Sequence, residues 1–169
     1  MLFTMKKILL IIIFLQFSLT IQAQDEVYID GRIRPVLDRF FEYCKKYDID
    51  YSEKLLQLES IKIVDTLPLS KFNTVLGKVL RDDNGNINKI VFNWATLFDK
   101  EILNVVAFHE FAHHFLDYKH TCHDCNEIMA ETNSSYFDIA RDWDNQVDYL
   151  FTTSPVYLKN QNDPSIASN

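Results

Sequence analysis

The sequence predicts a single α+β domain, and three observations point to it. Apolar residues recur at helical spacing after Arg34, a hairpin pattern with an Asn-Gly turn occupies the middle of the chain, and a long apolar helical stretch begins at Asp99. The 169 residues suffice for one hydrophobic core. With 3 glycines, 4 prolines and no internal repeat, linker-rich and collagen-like chains are excluded. The net charge is −7 and no run of Lys and Arg forms a basic patch, which argues against a nucleic-acid partner.

The first segment reads as an address rather than as part of the fold. Lys6 and Lys7 precede the apolar run ILLIIIFLQFSLT, and Ala23 follows as a small residue at which a signal peptidase can cut. The apolar run is shorter than the roughly 20 residues of a membrane span. Residues 1–23 are therefore expected to be a signal peptide, with Met5 as an alternative start, and residues 24–169 the mature domain. The expected location is periplasmic or secreted, with no stable membrane anchor after cleavage. In an oxidising compartment Cys122 and Cys125 are expected to form a short-loop disulfide that pins the loop around them, and Cys44 to be a buried thiol on a helix.

Arg34–Tyr47 is predicted to be helical, with Pro35 in the first turn and Val36, Leu37, Phe40, Phe41 and Cys44 on one face. SIKIVDTLP reads as a strand ended by proline. TVLGKVLRDDNGNINKIVFNW reads as a hairpin turning over Asp82–Asn86 and returning along Lys89–Asn93. Asp99 is placed to cap the next helix, whose apolar face runs to about Tyr118. Residues 119–126 read as an irregular loop, Ile139–Phe151 as a further helix, and the segment from about Thr152 as a frayed polar tail.

The 5 histidines of the chain all fall within VVAFHEFAHHFLDYKHTCHDCNEIM. His109-Glu110-Phe111-Ala112-His113 is H-E-x-x-H on the predicted long helix. Histidines four apart project from one helix face and suit one Zn²⁺, while the adjacent glutamate can take a proton from a water that the metal activates. A catalytic zinc needs a third protein ligand and one open position. The candidates are His120, if the chain turns back after the helix, His123, or Glu131 carried on a second helix. His114 points elsewhere on the helix and reads as a packed or solvent-facing residue. Asp117 is either a hydrogen-bond acceptor for a ligand histidine or an ordinary helix-terminal residue.

HEFAHHFLDYKH…EIM resembles the metzincin zinc proteases, whose signature H-E-x-x-H-x-x-G-x-x-H is followed by a Met-turn, and in particular their matrixin-like members. It is also similar to small exported bacterial metallopeptidases with an Ile-Met-like turn and a C-terminal Leu-Phe helix, which WDNQVDYLF matches. The resemblance implies a zincin domain in which a small mixed, twisted sheet packs on the helix carrying H-E-x-x-H. It implies His109, His113 and His120 as zinc ligands, Glu110 as general base, and Met129 as the Met-turn residue beneath the metal. It further implies that KIVFN forms the sheet edge that pairs with an extended substrate. The chain departs from the signature at two points. Lys119 stands where the third histidine is usual, with His120 one residue later, and the glycine that ends the helix is absent, so Asp117 or a neighbour must take the turn conformation.

The expectation is therefore a monomeric, exported, zinc-dependent endopeptidase acting on a peptide or protein. Three alternatives stand beside it. One is a gluzincin-type peptidase with Glu131 as third ligand, one a non-catalytic exported binding module stabilised by zinc, and one a thiol–disulfide protein using Cys122 and Cys125.

Overall fold

A computed structural model describes residues 26–69, 74–132 and 136–162. The expected signal segment lies outside the described residues. No helix among the described residues is long and apolar enough to cross a membrane.

The architecture is α+β, with a small mixed sheet and six helices among the described residues. Strand β1 (Tyr28–Ile29) leads into helix α1 (Arg34–Lys46) and short helix α2 (Ser52–Leu56). Strands β2 (Ser60–Val64), β3 (Gly77–Arg81) and β4 (Ile87–Asn93) follow, and a 3₁₀ turn at Trp94–Phe98 enters helix α3 (Lys100–Phe115). Beyond α3 come two short strands, β5 (Cys122–Asp124) and β6 (Ala130–Thr132). Helices α4 (Tyr136–Arg141), α5 (Trp143–Thr152) and α6 (Pro155–Asn162) complete the described chain.

Local chemistry explains the main elements. Helix α1 starts on Pro35, buries Val36, Leu37, Phe40, Phe41 and Cys44, and ends on Lys45 and Lys46, which suit the negative end of the helix dipole. The β3–β4 hairpin closes where the Asp82 carboxylate accepts the backbone N–H groups of Asn84 and Asn86, both at 2.9 Å. Gly85 supplies the positive φ of 85° that the turn requires. The Asp99 carboxylate caps α3 by accepting from Glu101 N at 2.8 Å and Ile102 N at 3.1 Å.

The four-stranded sheet has the order β1-β2-β4-β3. Strands β1, β2 and β4 are parallel, with Ile61 opposite Ile90, and β3 runs antiparallel to β4, with Val79 opposite Ile90. This corrects the expectation that KIVFN forms the sheet edge. That strand lies between β2 and β3, and the edge on that side is β3, with β1 at the other. The physical reason is visible in burial: Ile90, Val91, Phe92 and Asn93 are all buried in succession, as an interior strand covered on both faces requires.

Helix α3 lies against the sheet and is buried over most of its circumference. Phe40 joins it to the rest of the core. Its ring meets Phe108 at 5.2 Å, Phe111 at 5.4 Å, Phe115 at 5.8 Å and Phe151 at 5.2 Å. Phe92 of β4 meets Phe111 on the sheet side at 5.7 Å.

Three further differences from the sequence reading stand out. The helix expected over Ile139–Phe151 is two helices that break at Asp142. The loop expected over residues 119–126 contains β5, which pairs in parallel with β6. The segment expected to fray after Thr152 is helical over Pro155–Asn162. There the Ser154 hydroxyl accepts Tyr157 N at 3.1 Å, and Tyr157 packs on Tyr47 at 6.1 Å.

Phe40 gives a direct check on this core. Phe40→Ala is expected to lower the unfolding free energy by about 3–5 kcal/mol, the usual cost of deleting a buried phenylalanine ring. Urea denaturation followed by far-UV circular dichroism measures it. A loss below about 1 kcal/mol would mean that the aromatic cluster does not carry the packing of α1 on α3.

Candidate metal centre

His109 and His113 stand one turn apart on α3, and their Nε2 atoms lie 3.1 Å from each other. The helix stops at Phe115, and Asp117 turns the chain with φ at 58°, as the missing glycine demands of a neighbouring residue. The turn is closed by Leu116 N donating to Ala112 O at 3.1 Å and Tyr118 N donating to the same carbonyl at 3.2 Å. The chain then doubles back. His120 Nε2 arrives 3.2 Å from His113 Nε2 and 3.3 Å from His109 Nε2.

The outer nitrogens of the two helical rings are tied to main-chain carbonyls. His109 Nδ1 donates to Ile128 O at 2.7 Å, and His113 Nδ1 donates to Tyr118 O at 2.9 Å. A carbonyl can only accept, so each Nδ1 carries the proton and each Nε2 presents a lone pair. Burial pushes His109 down to about 4 and also lowers His113, so both rings are neutral near pH 7. Two lone pairs facing each other at this distance repel unless a cation lies between them. Tetrahedral zinc with Zn–N bonds of about 2.0–2.1 Å sets its ligand nitrogens about 3.3–3.4 Å apart. The three nitrogens of this site fit that spacing, and His109, His113 and His120 form a group that can hold a metal ion.

Glu110 occupies the wall of a cavity of about 470 Å³ beside His109. The segment Thr74–Gly77 bounds one side, α3 the floor, and Ala130–Thr132 with Tyr136 the other side. Burial pushes the Glu110 carboxyl up to about 8, against a smaller opposing pull from its Val79 backbone hydrogen bond and the Lys78 charge. Gly77 makes this packing possible. A Cβ there would stand 2.7 Å from Glu110 Cγ and 2.8 Å from both Glu110 Oε1 and Val106 Cγ1. Asn93, fully buried, holds the cavity wall from behind through its side-chain amide, which donates to Leu67 O at 3.2 Å and Val75 O at 3.3 Å.

The other residues singled out in the sequence lie apart from the triangle. Glu131 is exposed, and its carboxylate pairs with His123 Nδ1 at 3.0 Å across β5 and β6. His114 is buried, with Nε2 against Lys54 O at 2.7 Å. Asp117 pairs with Lys54 Nζ at 2.5 Å and not with a histidine of the triangle. Met129 is buried in the core cluster one residue after Ile128, and its carbonyl accepts Thr121 N at 3.0 Å. Cys122 and Cys125 form a disulfide. Cys44 is a buried thiol pushed up to about 12 by burial.

Sequence reading missed Gly77, Tyr136, Asn93 and the two carbonyls. A glycine inside a strand signals a close approach and so offered a hint for Gly77. Nothing in the residue types at Tyr118 and Ile128 reveals which carbonyls meet the histidines. No family model, curated protein or solved structure matches this chain.

The buried carboxyl has a consequence for stability. Its folded pKa is raised from 4.5 to about 8, so its contribution is fully present below pH 4.5 and is lost as pH rises through about 8. In protein freed of metal by a chelator, Glu110→Gln is expected to raise the melting temperature relative to wild type progressively from pH 5 to pH 8.5. The gain near pH 8 should be several degrees, measured by differential scanning calorimetry. A constant difference across that range would show that Glu110 does not change charge in the folded protein.

Proposed function

We propose that this chain is an exported, zinc-dependent endopeptidase with a metzincin-like domain. The single observation that carries the reading is the inward convergence of three imidazole Nε2 atoms at 3.1–3.3 Å beside a buried glutamate in an open cavity. A purely structural metal site has no use for a base at its rim. The H-E-x-x-H pattern, the return of His120 and the buried turn at Ile128-Met129 support the metzincin relationship. The geometry favours His120 over Glu131 as third ligand, because Glu131 faces His123.

His109, His113 and His120 would hold Zn²⁺, with one position left open. The bound ion would supply Lewis acidity, activating a water and polarising the scissile carbonyl. Glu110 takes the proton of the attacking water and passes it to the leaving amine. The carbonyls of Ile128 and Tyr118 keep the His109 and His113 rings oriented and their Nε2 atoms unprotonated. Strand β3 pairs with no strand but β4 among the described residues, and apart from the Val79 backbone group, which hydrogen-bonds to Glu110, its outer side is offered to an extended peptide. The substrate line therefore falls to Gly77–Arg81 rather than to Lys89–Asn93. Export follows from the basic and apolar character of residues 6–23.

Elemental analysis of the purified mature protein tests the metal site, with one zinc per chain expected in wild type and in Glu131→Ala, and a substoichiometric content in His120→Ala, whose two remaining ligands bind more weakly. Glu110→Gln is expected to keep its zinc and to lower kcat on a fluorogenic peptide library by about 10²–10⁴-fold. Undiminished cleavage by Glu110→Gln would sink the mechanism, and loss of zinc confined to Glu131→Ala would move the third ligand to that residue.

A further inference from the structure

Of the three converging histidines, His120 alone is carried by neither a helix nor a strand. Its position follows from the chain on either side. Upstream, Tyr118 is held at both ends, its carbonyl at His113 and its hydroxyl 2.6 Å from Thr153 Oγ1. Downstream, Thr121 N donates to Met129 O at 3.0 Å, and the Thr121 hydroxyl donates to Glu127 Oε2 at 2.8 Å. The Gln146 side-chain amide donates to Asn126 O at 2.9 Å, and β5 pairs with β6 over only three residues each. Within this set of weak bonds lies one covalent bond, the Cys122–Cys125 disulfide, which begins two residues after His120. Both cysteines are half-buried, so a thiol reagent can reach them.

We propose that the Cys122–Cys125 disulfide positions His120, so that the oxidation state of this pair sets the affinity of the three-histidine site for its metal. An isolated two-stranded pair is only marginally stable in water, and the cross-link holds one of its two strands in shape. Reduction by an external dithiol balances simply. A thiolate of the dithiol attacks one sulfur, the Cys122–Cys125 bond breaks, and the second thiol of the reagent resolves the mixed disulfide. Two electrons and two protons end on Cys122 and Cys125, and the reagent leaves as its own disulfide. With the cross-link gone, His120 departs from the triangle more readily and the site falls back on the two helical ligands. The cysteines are positioning residues in this account, acting on the metal only through His120. The inference rests on the metal site of the proposed function but not on peptide hydrolysis.

The test is zinc affinity, read by competition with a chromophoric chelator, in a cycle of four proteins. These are wild type, Cys122→Ser with Cys125→Ser, His120→Ala, and the triple variant. Serines are used because free thiolates would themselves bind zinc. The paired serine substitutions are expected to weaken binding at least tenfold in the wild-type background and less than twofold in the His120→Ala background, where no third ligand is left to position. Thermal melts of all four separate this from general unfolding. If the serine variant does not fold, wild type reduced and capped with iodoacetamide makes the same comparison. Equal affinity with and without the disulfide overturns the proposal, and so does an equal drop in the His120→Ala background. Wild type that takes up no zinc overturns the metal site and this inference together. Wild type that binds zinc with the expected redox dependence but cleaves no peptide overturns only the hydrolytic reading.

Discussion

Two main-chain carbonyls, those of Tyr118 and Ile128, determine how the candidate metal centre is built. His109 and His113 sit on a helix whose other faces are in the core, and a buried imidazole N–H left without a partner is costly. Once each Nδ1 has its carbonyl, each Nε2 is left as a bare lone pair turned toward the other ring. The carbonyls can reach the rings only if the chain reverses at the end of α3 and passes the helix again at Ile128. The positive φ of Asp117 makes that reversal. The same path brings His120 to the two helical rings. Satisfying two hydrogen bonds thus shapes the loop that supplies the third nitrogen.

The surrounding fold holds α3 in place so that this small geometry is reproducible. Phe40, backed by Phe151, packs on one side of the helix and Phe92 of β4 on another, leaving little freedom for the residues between them. Glu110 is the exception within this apolar setting. The residue is only 7% exposed, and Gly77 gives up a side chain so that β3 can close over it. Burying an ionisable group without a neutralising partner costs stability, and this cost falls where the cavity meets the histidines. A cation in the triangle would lie close by and would favour the ionised carboxylate, which a base requires.

Much of the fold could be read from the chain because the relevant signals are local. The apolar period of α1, the Asp-Asn-Gly turn of the hairpin and the Asp99 cap each depend on residues within a few positions of one another. The elements that escaped reading are those whose formation depends on distant partners. Strand β1 has two residues and exists because β2 lies beside it. Strands β5 and β6 exist because the loop folds on itself. Helix α6 gains its packing from Tyr47, which follows α1 and is far away in the sequence. The misassigned sheet edge had a readable warning in the unbroken apolar run Ile90-Val91-Phe92, which suits an interior strand better than an exposed one.

The amino-acid sequence by itself determined the chemistry available at the centre. Spacing of four on a helix places two imidazoles on one face whatever the helix packs against, and it leaves Glu110 beside them. Tertiary structure alone decided which group faces those imidazoles, since His120, His123 and Glu131 are all sterically admissible from the sequence and differ only in where the loop returns. It also decided that β3 and not β4 lies at the sheet edge beside the cavity, and that Gly77 sits over the carboxyl. These outcomes depend on strand order and loop closure, which are settled by hydrogen bonds and packing between residues far apart in the chain, and no contiguous pattern encodes them.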